Sequence, residues 1–206
     1  MRRDRGSTRN NAVQNRPNTL RIIGGEWRSR RIRFPGLTGL RPTPDRVRET
    51  LFNWLAPDVA GSRCLDLFAG SGALGLEALS RGAASVTFVE REREAADRLR
   101  ETVNELAPGR AMVVQADALA WLRGEARPFD IVLVDPPFDS GLLPAAMRAL
   151  ESGGWLAPEA RIYLEGPARA GPPEMPQGWS LRRSGRAGAV GYHLARRQSG
   201  GTGGSA

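Results

Sequence analysis

The stretch Cys64-Leu65-Asp66-Leu67-Phe68-Ala69-Gly70-Ser71-Gly72-Ala73-Leu74-Gly75-Leu76-Glu77-Ala78-Leu79 constrains this chain more than any other. It reads as a buried strand, a tight glycine turn and a helix in direct succession. Leu65, Leu67 and Phe68 make the end of the strand apolar, as expected when helices cover both faces of a parallel sheet. Gly70 and Gly72 permit backbone angles and a close approach that a Cβ would forbid. Gly75, one turn into the helix, lets that helix sit tightly on the strand. The helix N-terminus then presents free N–H groups above the carboxyl end of the strand, where open α/β sheets bind their ligands. The stretch therefore marks a cofactor site.

Gly70 to Gly75 satisfies the pattern G-x-G-x-x-G, which is weak evidence taken alone. The next strand, Ser85-Val86-Thr87-Phe88-Val89-Glu90, ends in a carboxylate 20 residues after Gly70. A carboxylate there can accept both hydroxyls of a ribose. NAD and S-adenosylmethionine fit these two features equally. Asp66, just ahead of the turn, favours the methyl donor. A carboxylate in that place suits a ligand with an ammonium group and no phosphates, and it would repel a pyrophosphate.

The rest of the chain alternates β and α patterns, which predicts a doubly wound, mostly parallel sheet. Ser80-Arg81-Gly82 closes the glycine-turn helix with a C-terminal glycine. Ala95, Leu99, Val103 and Leu106 form the stripe of a following helix. Ala111 to Gln115 is a third strand, followed by Asp117 and a short helix at Trp121 and Leu122. Asp130 to Val134 is a fourth strand, Leu142 to Leu150 a helix and Arg161 to Glu165 a fifth strand. Trp179 to Ser184 and Val190 to Ala195 read as a closing antiparallel pair. His193, the only histidine, lies in the last of these and reads as structural. Glu77 reads as belonging to the helix surface or to a local salt bridge.

Charge separates the N-terminal part from this body. The chain has no lysine, and its 30 basic residues are all arginine. Residues 1–48 hold 13 of them against Asp4, Glu26 and Asp45, a net +10, whereas the remainder holds 17 against 19 acids. A basic segment on a near-neutral body implies a polyanionic partner. Residues 1–19 are polar and expected to be disordered. Residues 20–56 form an N-terminal unit: a small hairpin over Leu20–Phe34 with arginines on one face, then a helix opened by Thr43 as hydroxyl N-cap, Pro44 and Asp45. Val47, Leu51, Trp54 and Leu55 put one face of that helix on the body, with Arg46 and Arg48 pointing elsewhere. Trp27 and Phe34 either stack on bases or anchor the hairpin. Residues 57–197 form the donor-binding domain, and 198–206 a Gly/Ser-rich tail expected to be disordered. One cysteine, Cys64, excludes a disulfide framework and suits a reducing compartment. No apolar run is long enough to cross a membrane, so a cytoplasmic protein with no membrane partner is expected.

Asp135-Pro136-Pro137-Phe138, at the end of the fourth strand, carries the second half of the chemistry. Two prolines after a buried strand end it abruptly, because neither can donate a hydrogen bond. Methylation of an exocyclic base amine explains the residues on either side of them. The amine lone pair is delocalised into the ring, so the nitrogen is a poor nucleophile until rehybridised. Hydrogen bonds from its N–H groups to the Asp135 carboxylate and the Pro136 carbonyl would localise and aim that lone pair. Phe138 can stack on a base taken out of its helix.

These motifs, with Glu77-Ala78-Leu79-Ser80-Arg81-Gly82-Ala83, Arg21-Ile22-Ile23-Gly24-Gly25-Glu26-Trp27-Arg28, Leu40-Arg41-Pro42-Thr43 and Arg46 to Asn53, resemble the RsmD-type 16S ribosomal RNA guanine-N2 methyltransferases. The resemblance covers roughly residues 20–197. It implies a Rossmann-like class I methyltransferase fold of seven strands with an antiparallel closing strand. It implies S-adenosyl-L-methionine as donor, S-adenosylhomocysteine as product, and a guanine N2 amine of 16S ribosomal RNA as target, free or within the small subunit, for a monomeric enzyme. Asp66, Gly70 and Gly72 would line the methionine part of the donor, Glu90 would hold its ribose, Asp117 with Ala118 would face its adenine, and Phe68 would also be donor-binding. Asp135, Pro136 and Phe138 would be catalytic. Arg28, Arg30, Arg31, Arg33 and Arg41 form the expected RNA-binding cluster, and no metal is expected.

Three readings stay open on the residues alone. A nicotinamide-dependent oxidoreductase uses the glycines and Glu90 but leaves Asp135 to Phe138 idle. A non-catalytic RNA-binding or ribosome-assembly module uses the arginines but not a donor site. Within the methyltransferase class, adenine N6 is an alternative target, and Asp117 is either an adenine contact or a plain N-cap.

Overall fold

The computed structural model describes residues 18–34 and 43–198. Strands β3 (Arg63–Asp66), β4 (Ser85–Glu90), β5 (Ala111–Gln115) and β6 (Phe129–Val134) take the runs of apolar residues. They are followed by β7 (Leu156–Pro167), β8 (Trp179–Ala187) and β9 (Val190–Arg197). These seven form one sheet in the order β5-β4-β3-β6-β7-β9-β8. The first five are parallel, and β9 runs antiparallel between β7 and β8. The order reverses between β3 and β6, so the crevice of a doubly wound sheet opens at their carboxyl ends.

Helices cover both faces. Helices α1 (Asp45–Trp54), α2 (Ala73–Ser80) and α3 (Arg93–Leu106) pack on one side over Cys64, Phe88, Leu133 and Tyr163. Helices α4 (Ala118–Trp121) and α5 (Leu142–Ser152) pack on the other over Leu65, Val132, Val134 and Ile162. Gly75 shows why α2 lies so close to the sheet: a Cβ there would stand 2.2 Å from the Phe88 ring. Helix α2 ends in a Schellman motif, with Gly82 at φ 96, Gly82 N–H on Leu79 O and Ala83 N–H on Ala78 O.

The N-terminal hairpin pairs β1 (Asn18–Arg21) with β2 (Arg31–Phe34) and begins two residues earlier than expected. Arg21, Arg31 and Arg33 are exposed, whereas Leu20, Ile22, Ile32 and Phe34 are buried on the opposite face. Trp27 and Phe34 are both buried, so they anchor the hairpin to the body. The expectations for 1–17, 199–206 and Arg41 lie outside the described residues.

Four local expectations are corrected. Thr43 is not the N-cap of α1: Pro44 holds that position, and its carbonyl accepts the N–H groups of Val47 and Arg48. Arg48 does not point away, being 1 % exposed, with hydrogen bonds to the carbonyls of Thr43 and Arg21. Glu77 is not on the surface but fully buried, though it does form salt bridges, with Arg48 and Arg81. The strand expected at Arg161 starts at Leu156 instead. Pro158 and Glu159 resemble a loop in sequence, but β7 absorbs them where its register on β6 shifts, with Glu159 at φ 68.

Candidate active site

Each parallel strand near the crevice ends in, or runs into, a carboxylate. Asp66 closes β3, Glu90 closes β4, Asp135 follows β6 and Glu165 lies near the end of β7. The parallel register brings these side chains to one end of the sheet, whatever their separation in sequence.

On the β3–β4 side the glycine turn is built around two of them. Gly70 and Gly72 both have positive φ, at 52 and 77. Asp66 lies beneath the turn, 2 % exposed, and its Oδ2 accepts the Gly75 N–H at 2.9 Å. Burial pushes its carboxyl up to about 7; the Gly75 N–H opposes that shift, and the charges of Asp135 and Glu90 add to it. Glu90 is fixed by backbone donors, with Gly70 N–H at 2.6 Å on Oε2 and Glu92 N–H at 2.7 Å on Oε1. Phe68 is half-buried at the rim. Asp117 caps α4 through the Ala120 N–H at 2.9 Å, and Ala118 is buried behind it. The N-cap reading of Asp117 therefore holds, which leaves its backbone and second oxygen at the end of β5.

On the β6–β7 side, Asp135 is partly exposed, Pro136 buried and Phe138 37 % exposed in a short 3-10 turn. Phe138 is one of few large apolar side chains that the described residues leave open to solvent. Three residues that sequence reasoning did not assign to the site meet here. The Thr43 hydroxyl donates to Asp135 Oδ2 at 3.3 Å, which is why it does not cap α1. Glu165 is 2 % exposed, burial and the charge of Asp135 raise its carboxyl, and the Tyr163 hydroxyl donates to its Oε1 at 2.6 Å. The available signal for Glu165 was the one that identified Glu90, an acid at the carboxyl end of a core strand.

The site is strongly anionic inside a cationic chain. Among the described residues, every ion pair lies elsewhere, and none of Asp66, Glu90, Asp135 or Glu165 has an arginine within salt-bridge distance. Gathering four acids without a counter-charge is costly unless a ligand supplies one. A sulfonium with an ammonium group fits this donor set, and a pyrophosphate does not.

Residues 20–196 match the family model described as conserved hypothetical protein 95. Relatives named ribosomal RNA small subunit methyltransferase D are similar over most of the chain. The Escherichia coli K12 protein is 51 % identical over 180 residues, 87 % of this chain and 91 % of its own. The Haemophilus influenzae protein is 43 % identical over 179 residues, 85 % of this chain and 92 % of its own. The chain belongs to the ribosomal RNA small subunit methyltransferase D family. The solved structure of the Escherichia coli yhhF protein has a TM-score of 0.81 at 48 % identity, covering 88 % of this chain and 99 % of that one. The two functional halves of the crevice fall inside the family match, and so does the N-terminal hairpin apart from Asn18 and Thr19.

The other site expectations have distinct structural environments. His193 is buried, its Nδ1 2.8 Å from the Ser184 hydroxyl, and burial lowers its pKa, as suits a structural residue. Cys64 is fully buried in β3, where burial pushes its thiol up to about 12 and leaves it inert. Arg28, Arg30, Arg31 and Arg33 are exposed on the hairpin, with Arg30 paired to Glu105 on α3.

Proposed function

We propose that the protein transfers a methyl group from S-adenosylmethionine to the N2 amine of a guanine in small-subunit ribosomal RNA. The observation that carries this reading is the pairing of two halves at one crevice: unpaired acids around a glycine turn, and Asp135 beside an exposed Phe138. The donor supplies a methyl group on a sulfonium and leaves as a thioether. Asp66 and the glycine turn suit its methionine part, Glu90 its ribose, and Asp117 with Ala118 its adenine.

The chain's own residues handle the target base. Asp135 and the Pro136 carbonyl accept the amine N–H groups, which localises the nitrogen lone pair and aims it across the crevice. Phe138 stacks on the base and excludes water from one face. All these groups come from one chain, so a monomer suffices, and the lone buried cysteine suits the cytoplasm. The exposed hairpin arginines supply phosphate contacts.

The test is methyl transfer from labelled donor to undermodified small-subunit rRNA and to assembled particles, followed by nucleoside analysis. N2-methylguanosine is the expected product; N6-methyladenosine would replace the target with adenine. Asp135→Ala should keep donor binding and lose on the order of a hundredfold in rate, as when one preorganised hydrogen-bond partner is removed. Near wild-type turnover in that variant would show the motif to be misassigned.

A further inference from the structure

Asp135 and Glu165 are neighbours by register. Val134 pairs with Leu164 across the parallel β6–β7 ladder, and each acid is the next residue on its strand. Val134 and Leu164 face the α4–α5 side, so both acids face the other, toward Thr43 and Tyr163. Two buried acids at neighbouring strand positions raise the cost of each other's charge, and a carboxyl can donate to a carboxyl only through a proton. The flanking donors leave room for one. Tyr163 occupies Glu165 Oε1 and Thr43 occupies Asp135 Oδ2, while among the described residues no arginine forms an ion pair with either acid.

We propose that Asp135 and Glu165 share one proton, with Glu165 acting as a positioning residue: held neutral, it donates to Asp135 and presents it as the single ionised group facing the target amine. This rests on the reading of Asp135 as the acceptor of that amine. The electrostatics agree. Burial raises both carboxyls above their ordinary range, and for Glu165 the adjacent charge of Asp135 adds to the shift. Tyr163 is also held well above its usual range, by burial and by the Glu165 charge, so it stays a donor. Two ionised carboxylates would lose the hydrogen bond between them and repel. A lone Asp135 would be free to turn, and the amine would lose its fixed acceptor.

The groups facing the pair are Thr43 ahead of α1, Tyr163 on β7, Tyr192 on β9 and Asp66 on β3. Asp66, pushed up to about 7 by burial, ionises ahead of Glu165, so Glu165 ionisation should appear as a fall in rate on the alkaline side. Glu165→Gln keeps a donor N–H but cannot ionise. It should turn over within about threefold of wild type at neutral pH and lose the alkaline fall. Glu165→Ala should lower kcat about tenfold or more, with S-adenosylhomocysteine affinity unchanged. A second readout needs no turnover: carbon-13 carboxyl titration of the ligand-free protein by NMR. Glu165 should titrate above neutrality in the wild type and move down by about one unit or more in Asp135→Asn, which removes the neighbouring charge. Titration of Glu165 in the ordinary acid range would overturn the shared proton. A wild-type alkaline fall in Glu165→Gln, or wild-type kcat in Glu165→Ala, would overturn its positioning role. A wild-type protein inactive on every rRNA substrate would overturn the proposed function instead, with the carboxyl titration still deciding the shared proton.

Discussion

At the scale of single residues, Asp66 should give the proposed donor site a pH signature. Its carboxyl lies near 7 because burial and the charges of Glu90 and Asp135 oppose ionisation in the free protein. An ammonium group beside it would reverse that preference, so donor binding below about pH 7 must expel a proton. Affinity for S-adenosylhomocysteine should rise about tenfold per pH unit below 7 and level off above it. Asp66→Asn should bind weakly and without that slope, which separates its titration from that of Asp135. Calorimetry between pH 5.5 and 8.5, in buffers of different ionisation enthalpy, counts the proton directly; a flat wild-type profile would place the ammonium elsewhere. The sign for stability is opposite. With its folded pKa raised, Asp66 contributes stability that is full below pH 4 and lost as pH rises through 7. The glycines and the acids at Asp66, Glu90 and Asp135 were legible because each stands at a strand end with a motif around it. Thr43 was not, since a hydroxyl before Pro-Asp also looks like a helix cap, and only the fold reveals that Asp135 lies within its reach.

At the scale of elements, the hairpin and the body are joined through α2. Glu77 accepts the N–H groups of Ile23 at 2.9 Å and Gly24 at 2.8 Å, and the Arg81 guanidinium at 2.8 Å. Its Oε2 also lies 3.5 Å from the buried Arg48. The Ser80 hydroxyl completes the joint, accepting from Trp27 N–H and donating to Gly24 O. Glu77→Gln keeps the shape but removes the charge that compensates Arg48. Breaking a buried pair on one side costs roughly 3–5 kcal/mol, less here because Asp45 also holds Arg48. Thermal unfolding should show a lower Tm, and hydrogen exchange should show the hairpin amides losing protection before those of β3 and β4. Unchanged hairpin protection would mean the apolar face alone docks it. The alternation of Arg and apolar residues made the hairpin legible, but its docking was not. The overlooked signal was the composition of α2: all eight of its residues are buried. A lone acid in a helix without a polar face has no exposed side to occupy.

At the scale of the whole molecule, charge is divided as the chemistry requires. Anionic side chains gather at the strand ends, where the proposed function puts a cationic donor, while arginines gather on the hairpin, where it puts a polyanion. The βα alternation implied a doubly wound sheet and the family resemblance its seven strands, but the strand order, and with it the crevice between β3 and β6, came only with the fold. The arginines were legible as a cluster, but their partners were not, because Arg30 meets Glu105 from a helix 75 residues away. That pairing refines what the cluster should do. Phosphate contacts release counterions, and each one lost should flatten the log–log salt dependence by about 0.7 to 0.9. Replacing Arg28, Arg30, Arg31 and Arg33 with Gln should therefore weaken rRNA binding and flatten its slope by about 2 to 3, with Arg30 contributing least because Glu105 already neutralises it. In the proposed site the donor is held by Asp66, the glycine turn and Glu90, and the hydrogen bonds of the two acids go to backbone N–H groups, so donor affinity should hold in the same variant. Binding across a salt series, with S-adenosylhomocysteine calorimetry alongside, measures both. An unchanged salt slope with intact donor binding would reduce the arginines to a solvated face and move the RNA surface to another part of the molecule.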